Sequence, residues 1–330
     1  IAKEENMCTC INLKTKDNYF GRNLDLEYRF DEKVVITPRN YEFKLKNKKK
    51  ICTKYALIGM ATTFEDYPLY AEATNEKGLS MAGLYFPGNA HFYDEKDGKL
   101  NLAPYELIPY FLGNYSSIKE IKQELEMLNI TNIPFSENLP TTDLHWMMCD
   151  KNECIVIEQM EEGLNIYDNP LGVLTNNPPF NYHLANINNY SNLTPYYEKS
   201  KFSDKIELKQ YGQGMGAIGL PGDNSPASRF IRASFNKLNS NCKDDEKSSI
   251  TQFFHILDSV AMVKGTTITK ENKDDITTYS CCINTDKGIY YYKTYNNNQI
   301  VAIKMTEKEK NMDKLSIYNL IEEQQIKYEN

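Results

Sequence analysis

The sequence predicts an α+β fold built on layered antiparallel sheets. Strand-like and helix-like segments come in blocks: strands, two helices, strands, a polar excursion, two helices and strands again. Strict alternation of strands and helices would instead favour a parallel sheet. Tight-turn signals separate the strand-like runs, and the helical segments carry their own start and stop signals. Segregated elements of this kind favour an α+β architecture.

The N-terminal block is read as strands joined by short turns. Residues 8–13 alternate in polarity, Asp17 and Asn18 form a turn, and Tyr19 begins a second strand, which together predict a hairpin. Pro38 ends another strand. A tight turn over residues 75–78 places Gly78 where a positive φ is needed. The other strand-like runs of this block cover residues 33–37, 54–63 and 79–86.

Two helices are predicted in the middle of the chain. Residues 104–113 begin with proline and end with glycine, while Pro109 within them predicts a kink. The second helix covers residues 118–128, and Glu120 follows Ser117 at capping-box spacing.

The second half of the chain repeats the pattern of strands, helices and strands. The segment 181–215 is rich in Asn, Tyr, Ser and Lys and is interpreted as a surface arm or an oligomer contact. Helices are predicted over 228–238 and 250–263. Strands are predicted over 146–149, 154–158, 164–167, 172–176, 278–284, 289–295 and 300–304, followed by a polar tail from Glu307. Residues 1–7 are expected to be a leader or leftover segment, and residues 8–330 a single domain.

Composition excludes several classes of protein. The chain has 330 residues and a formal net charge of −7, which argues against nucleic-acid binding because phosphates require a basic surface. No apolar stretch reaches the roughly 20 residues of a membrane span, so no membrane insertion is expected. Eight cysteines are too few for a disulfide scaffold, and reduced thiols in a cytoplasmic protein are expected. Four histidines and no CxxC spacing argue against a metal site.

Cys8 is the candidate nucleophile. A free thiol titrates near pH 8.5, so a base must help to form the thiolate. The four histidines lie in segments that favour structural or solvated roles. If residues 1–7 are removed, the α-amine of Cys8, whose pKa would be near 8, can act as the base. Arg22 would favour the thiolate, and Asp25 would accept a hydrogen bond from the thiol or the amine. A buried structural cysteine beside a surface Arg/Asp pair is the alternative.

Several short motifs occur together and in order along the chain. They are Met7-Cys8-Thr9, Gly21-Arg22-Asn23-Leu24-Asp25, Asn75-Glu76-Lys77-Gly78-Leu79, Leu144-His145-Trp146, Gly172-Val173-Leu174-Thr175-Asn176-Asn177-Pro178, Gly219-Leu220-Pro221-Gly222-Asp223 and Pro226-Ala227-Ser228-Arg229-Phe230. In these motifs the sequence resembles the choloylglycine hydrolase family, which comprises bile salt hydrolases and penicillin V acylases within the N-terminal nucleophile hydrolases. The resemblance runs from Met7 nearly to the C-terminus.

The resemblance implies a four-layer αββα sandwich that cleaves an amide and assembles as a homotetramer, with no cofactor. It implies that Cys8 is the nucleophile, with its freed amine as base and with Arg22 and Asp25 in support. Asn176 would donate its side-chain amide to the oxyanion, and Arg229 would stabilise the charged site. The implied substrate pocket is apolar, and its lining comprises Leu24, Phe30, Phe64, Phe135 and Leu139.

One position departs from the bile salt hydrolase pattern. Tyr85 stands where bile salt hydrolases usually carry Asn and penicillin V acylases usually carry Tyr. With Tyr85, a backbone N–H must serve the oxyanion, and the ring would narrow the pocket mouth. Whole-chain similarity favours hydrolysis of glycine- or taurine-conjugated bile salts. The alternatives are an acylase for penicillin V or acyl homoserine lactones, and a non-enzymatic ligand-binding or thiol-sensing relative with a blocked Cys8.

Overall fold

The computed structural model of the chain describes residues 7–46 and 49–330. Residues 1–6 of the expected leader lie outside the described part. The strands of the first half are β1 (Met7–Lys14), β2 (Asn18–Leu26), β3 (Lys33–Thr37), β4 (Glu42–Lys44), β5 (Lys50–Cys52), β6 (Leu57–Phe64), β7 (Tyr67–Asn75), β8 (Ser80–Tyr85), β9 (Leu100–Leu102) and β10 (Leu128–Ile130). Those of the second half are β11 (Leu144–Cys149), β12 (Cys154–Met160), β13 (Gly163–Asp168), β14 (Val173–Leu174), β15 (Ile276–Asn284), β16 (Ile289–Thr294), β17 (Val301–Lys304) and β18 (Ser316–Tyr318).

Helices occupy the intervals between the strand blocks. The α-helices are α1 (Leu107–Asn114), α2 (Ile118–Met127), α3 (Phe180–Asn186), α4 (Pro226–Asn239), α5 (Glu246–Asp258) and α6 (Glu307–Lys310). Short 3-10 turns cover Pro104–Glu106, Ile187–Tyr190 and Met215–Ala217. No helix in the described part of the chain is long and apolar enough to cross a membrane.

Two antiparallel sheets form the centre of the molecule. The first has six strands in the order β14-β1-β2-β15-β16-β17, and the second has eight in the order β13-β12-β11-β8-β7-β6-β3-β18. Helices α4 and α5 pack on the first sheet, whereas α1 packs on the second. A layer of helices therefore covers the outer face of each sheet, and the predicted αββα sandwich is confirmed.

Buried side chains join the four layers. One apolar cluster contains Phe20 and Ile283 of the first sheet, Phe253 of α5, and Ile58 and Met147 of the second sheet. The other lies between the second sheet and its helices; its members include Leu107, Phe111, Ile118, Ile121 and Trp146. Helix α2 shows how the sequence directs this packing, because its buried residues recur at helical spacing while its charged side chains face outward.

The helix predictions hold in type but not at every boundary. A 3-10 turn over Pro104–Glu106 precedes α1, so the α-helix begins three residues later than predicted. The last long helix begins at Glu246 and ends at Asp258, rather than covering 250–263. Asp245 accepts a hydrogen bond from the Ser248 backbone N–H at 2.9 Å and caps this helix. The cap lies five residues upstream of residue 250, where the predicted helix begins.

The polar tail contains structure that the sequence pattern did not indicate. Helix α6 and strand β18 lie within it, and β18 pairs with β3 through Ser316↔Ile36. This pairing joins segments some 280 residues apart, and no local signal reports it.

The expectation that all the thiols are reduced is wrong for one pair. Cys149 and Cys154 lie opposite each other in the β11–β12 hairpin and form a disulfide. Directly opposed residues of an antiparallel pair bring their Cβ atoms close enough for such a bond. The other six cysteines are free.

Candidate active site

The β1–β2 hairpin brings the N-terminal motif residues together. Its register places Cys8 opposite Leu24, Cys10 opposite Arg22 and Met7 opposite Asp25. Because side chains alternate along a strand, Cys8, Arg22 and Leu24 share one face of the sheet while Asp25 belongs to the other. The two charges that flank Cys8 therefore approach it from different sides.

Arg22 lies on the face that points toward the second sheet. Its Nη1 atom donates to the Gly83 carbonyl oxygen at 2.5 Å and to the Ala71 carbonyl oxygen at 3.3 Å. Its side chain is almost completely buried, and it lines the same cavity as Cys8. Backbone carbonyl groups of the second sheet thus hold a permanent positive charge beside the sulfur.

Burial raises the pKa of the Cys8 thiol. The charge of Arg22 opposes this rise and that of Asp25 adds to it, while hydrogen bonds from the backbone N–H groups of Tyr85 and Asp25 lower the pKa. The net effect is a thiol that is mostly protonated at neutral pH, so deprotonation requires a nearby base.

The nitrogen of Cys8 has a separate set of partners. The Cys8 backbone N–H donates to Asn176 Oδ1 at 2.8 Å. The same oxygen accepts a hydrogen bond from Arg229 Nη2 at 2.8 Å, and Arg229 Nη1 donates to the Cys8 carbonyl oxygen and to Thr9 Oγ1. Asn176 and Arg229 therefore fix the position of the nitrogen that is expected to become the base.

Asn176 also links the two sheets at the predicted oxyanion site. Its Nδ2 atom donates to the Tyr85 carbonyl oxygen at 2.7 Å. An amide NH₂ group carries two donors, so one N–H is engaged here and the other is the candidate oxyanion donor. The backbone N–H of Tyr85, which interacts with the Cys8 sulfur, is the second candidate donor.

Asp25 lies on the amine side of Cys8. Its Oδ1 atom accepts a hydrogen bond from Thr277 Oγ1 at 2.6 Å, and its Oδ2 atom is buried without a hydrogen-bond partner in the described structure. Burial raises the pKa of Asp25 to about 6, against the opposing charges of Arg229 and Arg22. A carboxylate with a free buried acceptor suits a new cationic donor, such as the ammonium form of a liberated Cys8 amine.

Two buried histidines support Asn176, a role that sequence reasoning missed. His183 Nε2 lies 3.0 Å from the Asn176 carbonyl oxygen, and His145 Nε2 lies 3.0 Å from the Thr175 carbonyl oxygen. Glu158 in turn binds His145 Nδ1 at 2.9 Å. His183 is seven residues from Asn176 in the chain and His145 is 30 residues from Thr175. No motif spacing indicated either contact.

A cavity of about 320 Å³ leads from the surface to the sulfur of Cys8. Cys8, Arg22 and Tyr85 lie along its wall. Its lining also contains all five residues predicted for the pocket: Leu24, Phe30, Phe64, Phe135 and Leu139. Tyr105 and Ile108, which sequence reasoning did not single out, contribute further lining. Such a cavity favours an apolar group held beside Cys8.

In residues 7–46 and 49–330, no group of three or more His, Cys, Asp or Glu side chains is arranged to hold a metal ion.

Comparison with known proteins decides the family. A model of the linear amide C–N hydrolases, choloylglycine hydrolase family, matches residues 8–318. The chain belongs to the choloylglycine hydrolase family. Membership makes it a C–N amide hydrolase.

Individual relatives extend along nearly the whole chain. The bile salt hydrolase/transferase of Lactiplantibacillus plantarum is 48% identical over 319 residues, which is 97% of this chain and 98% of the relative. The protein of the same name from Clostridium perfringens is 46% identical over 94% of this chain and 96% of the relative. A crystal structure of a variant of conjugated bile acid hydrolase from Clostridium perfringens has a TM-score of 0.91 at 45% identity, covering 98% of this chain and 100% of that structure.

A more distant structure has the same fold. Penicillin V acylase from Agrobacterium tumefaciens has a TM-score of 0.70 at 19% identity, covering 91% of this chain and 86% of that structure. That penicillin V acylase therefore shares the sandwich described above.

Asp275 makes the stability of the site dependent on pH. Burial, reinforced by Asp25 and Glu27 and opposed by Arg229, raises the pKa of Asp275 to about 7. A raised carboxyl pKa means that the folded state binds the proton more tightly than the unfolded chain does. Its stabilising contribution is present at low pH and is lost as the pH rises from about 4 to about 7.

Replacing Asp275 by Asn is therefore expected to stabilise the protein more at pH 8 than at pH 4.5. The free energy of unfolding of Asp275→Asn, relative to wild type, should increase by on the order of 2 kcal/mol between these pH values. Urea unfolding of both proteins at both pH values measures this difference, and any pH-independent effect of the substitution cancels. A difference that stays constant with pH would contradict the assignment.

Proposed function

We propose that the chain is a bile salt hydrolase, which cleaves the amide bond of glycine- or taurine-conjugated bile acids. The observation that carries the proposal is the identity of 48% and 46%, over almost the full length, with enzymes named bile salt hydrolase/transferase. The apolar cavity beside Cys8 supports it, because a steroid contributes most of its binding energy through burial, at about 25 cal/mol per Å².

The proposed reaction begins with attack of the Cys8 thiolate on the amide carbonyl carbon. The thiol proton passes to the Cys8 amine, which delivers it to the leaving amine as the tetrahedral intermediate collapses. The free Asn176 N–H and the Tyr85 backbone N–H would stabilise the oxyanion, each worth roughly 10²–10³ in rate. Water then hydrolyses the thioester and regenerates Cys8. Transfer of the acyl group to another amine instead of water would account for the word transferase in the names of the two relatives.

Parallel assays with glycocholate, taurocholate and penicillin V test this function. Release of glycine or taurine from the bile salts, at a kcat/KM above that for penicillin V, supports the proposal. Faster hydrolysis of penicillin V would favour the acylase alternative, for which Tyr85 is the specific argument. Absence of hydrolysis by a preparation with an exposed Cys8 amine would favour the non-enzymatic alternative.

Tyr85 is expected to shift the preference between these substrates. Its ring lines the cavity and is only 6% exposed, so it occupies space near the oxyanion site. Tyr85→Asn should raise the ratio of glycocholate to penicillin V turnover by on the order of tenfold, because it opens the mouth and adds an amide donor.

Tyr85→Phe is the matched control, because it keeps the ring and removes only the hydroxyl group. The ratio should stay near the wild-type value in this variant. An unchanged ratio in Tyr85→Asn would remove Tyr85 from substrate choice.

We also propose a homotetrameric assembly, supported by the apolar side chains that the arm 181–215 leaves exposed. Phe202 is 81% exposed and Tyr211 is 90% exposed, and burial of such side chains between subunits would contribute to assembly. The cytoplasm is the proposed compartment, for which the six free cysteines are the supporting observation.

A further inference from the structure

A buried carboxylate connects the two sheets behind Arg22. Glu72 belongs to β7 of the second sheet, and none of its side chain is exposed. Its Oε2 atom lies 4.0 Å from Arg22 Nε. A buried charge is costly unless it is paired and hydrogen-bonded, so the partners of Glu72 indicate what this charge does.

Two tyrosine hydroxyls of the first sheet hold the carboxylate in place. Tyr279 Oη donates to Oε2 of Glu72 at 2.7 Å, and Tyr290 Oη donates to Oε1 at 2.6 Å. The Cys281 sulfur lies 3.5 Å from Oε1. Both oxygens of Glu72 are therefore engaged, which fixes the position of the negative charge relative to Arg22.

Both oxygens of Glu72 accept hydrogen bonds from tyrosine hydroxyls, a geometry that suits the ionised carboxylate. Burial raises the pKa of Glu72, and Arg22 and the tyrosine hydroxyls oppose the rise. Burial also raises the pKa values of Tyr279 and Tyr290 well above their usual range, so both remain hydrogen-bond donors at neutral pH.

On this basis we infer that Glu72 is the buried counter-ion of Arg22 and sets how strongly Arg22 stabilises the Cys8 thiolate. The inference rests on the proposed role of Cys8 as nucleophile. Glu72 does not line the cavity, so it acts on the sulfur through Arg22 and not by direct contact. Backbone carbonyls of Ala71 and Gly83 hold the guanidinium independently of Glu72. A change in the carboxylate therefore alters the electrostatic potential around Arg22 more than it alters the position of the guanidinium.

The direction of the effect follows from the sign of the charges. Glu72 offsets part of the positive field of Arg22, and loss of the negative charge leaves that field uncompensated. The groups that act on the sulfur itself are Arg22, Asp25 and the backbone of Tyr85. With these unchanged, the thiolate of Cys8 becomes easier to form when Glu72 is neutralised.

The test is the pH dependence of Cys8 alkylation by iodoacetamide, followed by mass spectrometry of the peptide that contains Cys8. Glu72→Gln is expected to lower the apparent thiol pKa by roughly half a unit or more. Glu72→Asp keeps the charge but draws it back from Arg22, and its value should lie between those of Glu72→Gln and wild type. An unchanged or raised thiol pKa in a folded variant overturns the inference.

Glu106→Gln is the matched control for the loss of a buried carboxylate. Glu106 is 2% exposed, and its carboxylate accepts hydrogen bonds from the backbone N–H groups of Lys46 and Ala103. Its replacement should leave the thiol pKa at the wild-type value, and a shift equal to that of Glu72→Gln would overturn the inference.

Two further points keep the test decisive. If Glu72→Gln does not fold, Glu72→Asp alone decides, because an unchanged thiol pKa in that variant also overturns the inference. Alkylation requires no substrate, so this measurement is distinguishable from failure of the proposed function.

Discussion

Cys8→Ala is expected to abolish amide hydrolysis. The substitution removes the sulfur that is proposed to form the acyl intermediate, and loss of the nucleophile in covalent catalysis costs about 10⁴-fold or more in kcat. The fold should survive, because alanine is compatible with a strand and the change removes one buried sulfur. Initial rates with glycocholate, together with circular dichroism of the variant, measure the two effects separately.

Cys10→Ala is the matched control for this prediction. Cys10 lies two residues further along the same strand, shares the inner face with Cys8 and is completely buried. Burial raises the pKa of its thiol, and Arg22 opposes the rise. Cys10→Ala should keep kcat within a few-fold of wild type, and residual hydrolysis by Cys8→Ala above about 1% of wild type would contradict the nucleophile assignment.

Much of this fold can be predicted from the sequence because the patterns that predict it are local. Alternating residues 8–13 and a polar turn predicted the β1–β2 hairpin, and the structure places Met7–Lys14 opposite Asn18–Leu26. The periodic segment after Ser117 predicted α2, which begins at Ile118. The predicted capping box is not formed, because the Ser117 side chain makes no cap hydrogen bond and Glu120 accepts hydrogen bonds from Ser116 instead. In both places propensity, turn chemistry and burial agree, so one reading of the pattern is favoured.

Long-range contacts account for what the sequence reading missed. The tail strand β18 pairs with β3 across most of the chain. The disulfide is the exception, because Cys149 and Cys154 are only five residues apart and the register of a hairpin brings them together. Glu72 lies within a strand, and no residue close to it in the sequence indicates that two tyrosines are its hydrogen-bond partners. Such partners depend on how two sheets meet, which a pattern along one strand does not encode.

The candidate site shows the same division between local and long-range signals. The resemblance to the family associated Cys8, Asn176 and Arg229 with one another, and the structure brings all three within hydrogen-bond contact. The separation of Arg22 and Asp25 onto opposite faces follows from their spacing of three in a strand with a period of two. Arg22 lies beside the sulfur of Cys8, and Asp25 lies on the side of its nitrogen. This arrangement depends on contacts with the second sheet and α4, which the spacing of residues in β2 does not indicate.

The other prediction with a large effect concerns the peptide bond between Met7 and Cys8. With Met7 attached, the nitrogen of Cys8 is an amide, which donates to Asn176 Oδ1 and has no basic lone pair. We expect a chain that retains residues 1–7 to be inactive and a chain that begins at Cys8 to be active, with kcat different by at least about 10²-fold from the loss of base catalysis alone. The match to the family model begins at Cys8, which supports this expectation.

A specific protease site placed immediately before Cys8 provides the measurement. The same preparation is assayed with glycocholate before and after cleavage, and intact mass identifies the N-terminus at each stage. Cleavage placed before Met7 is the matched control, because it removes residues 1–6 but leaves the Cys8 nitrogen as an amide; activity should not appear. Full hydrolysis by a preparation whose mass still includes residues 1–7 would exclude the Cys8 amine as the base. The candidates to test in its place would then be His145 and His183, which contact the backbone carbonyls of Thr175 and Asn176.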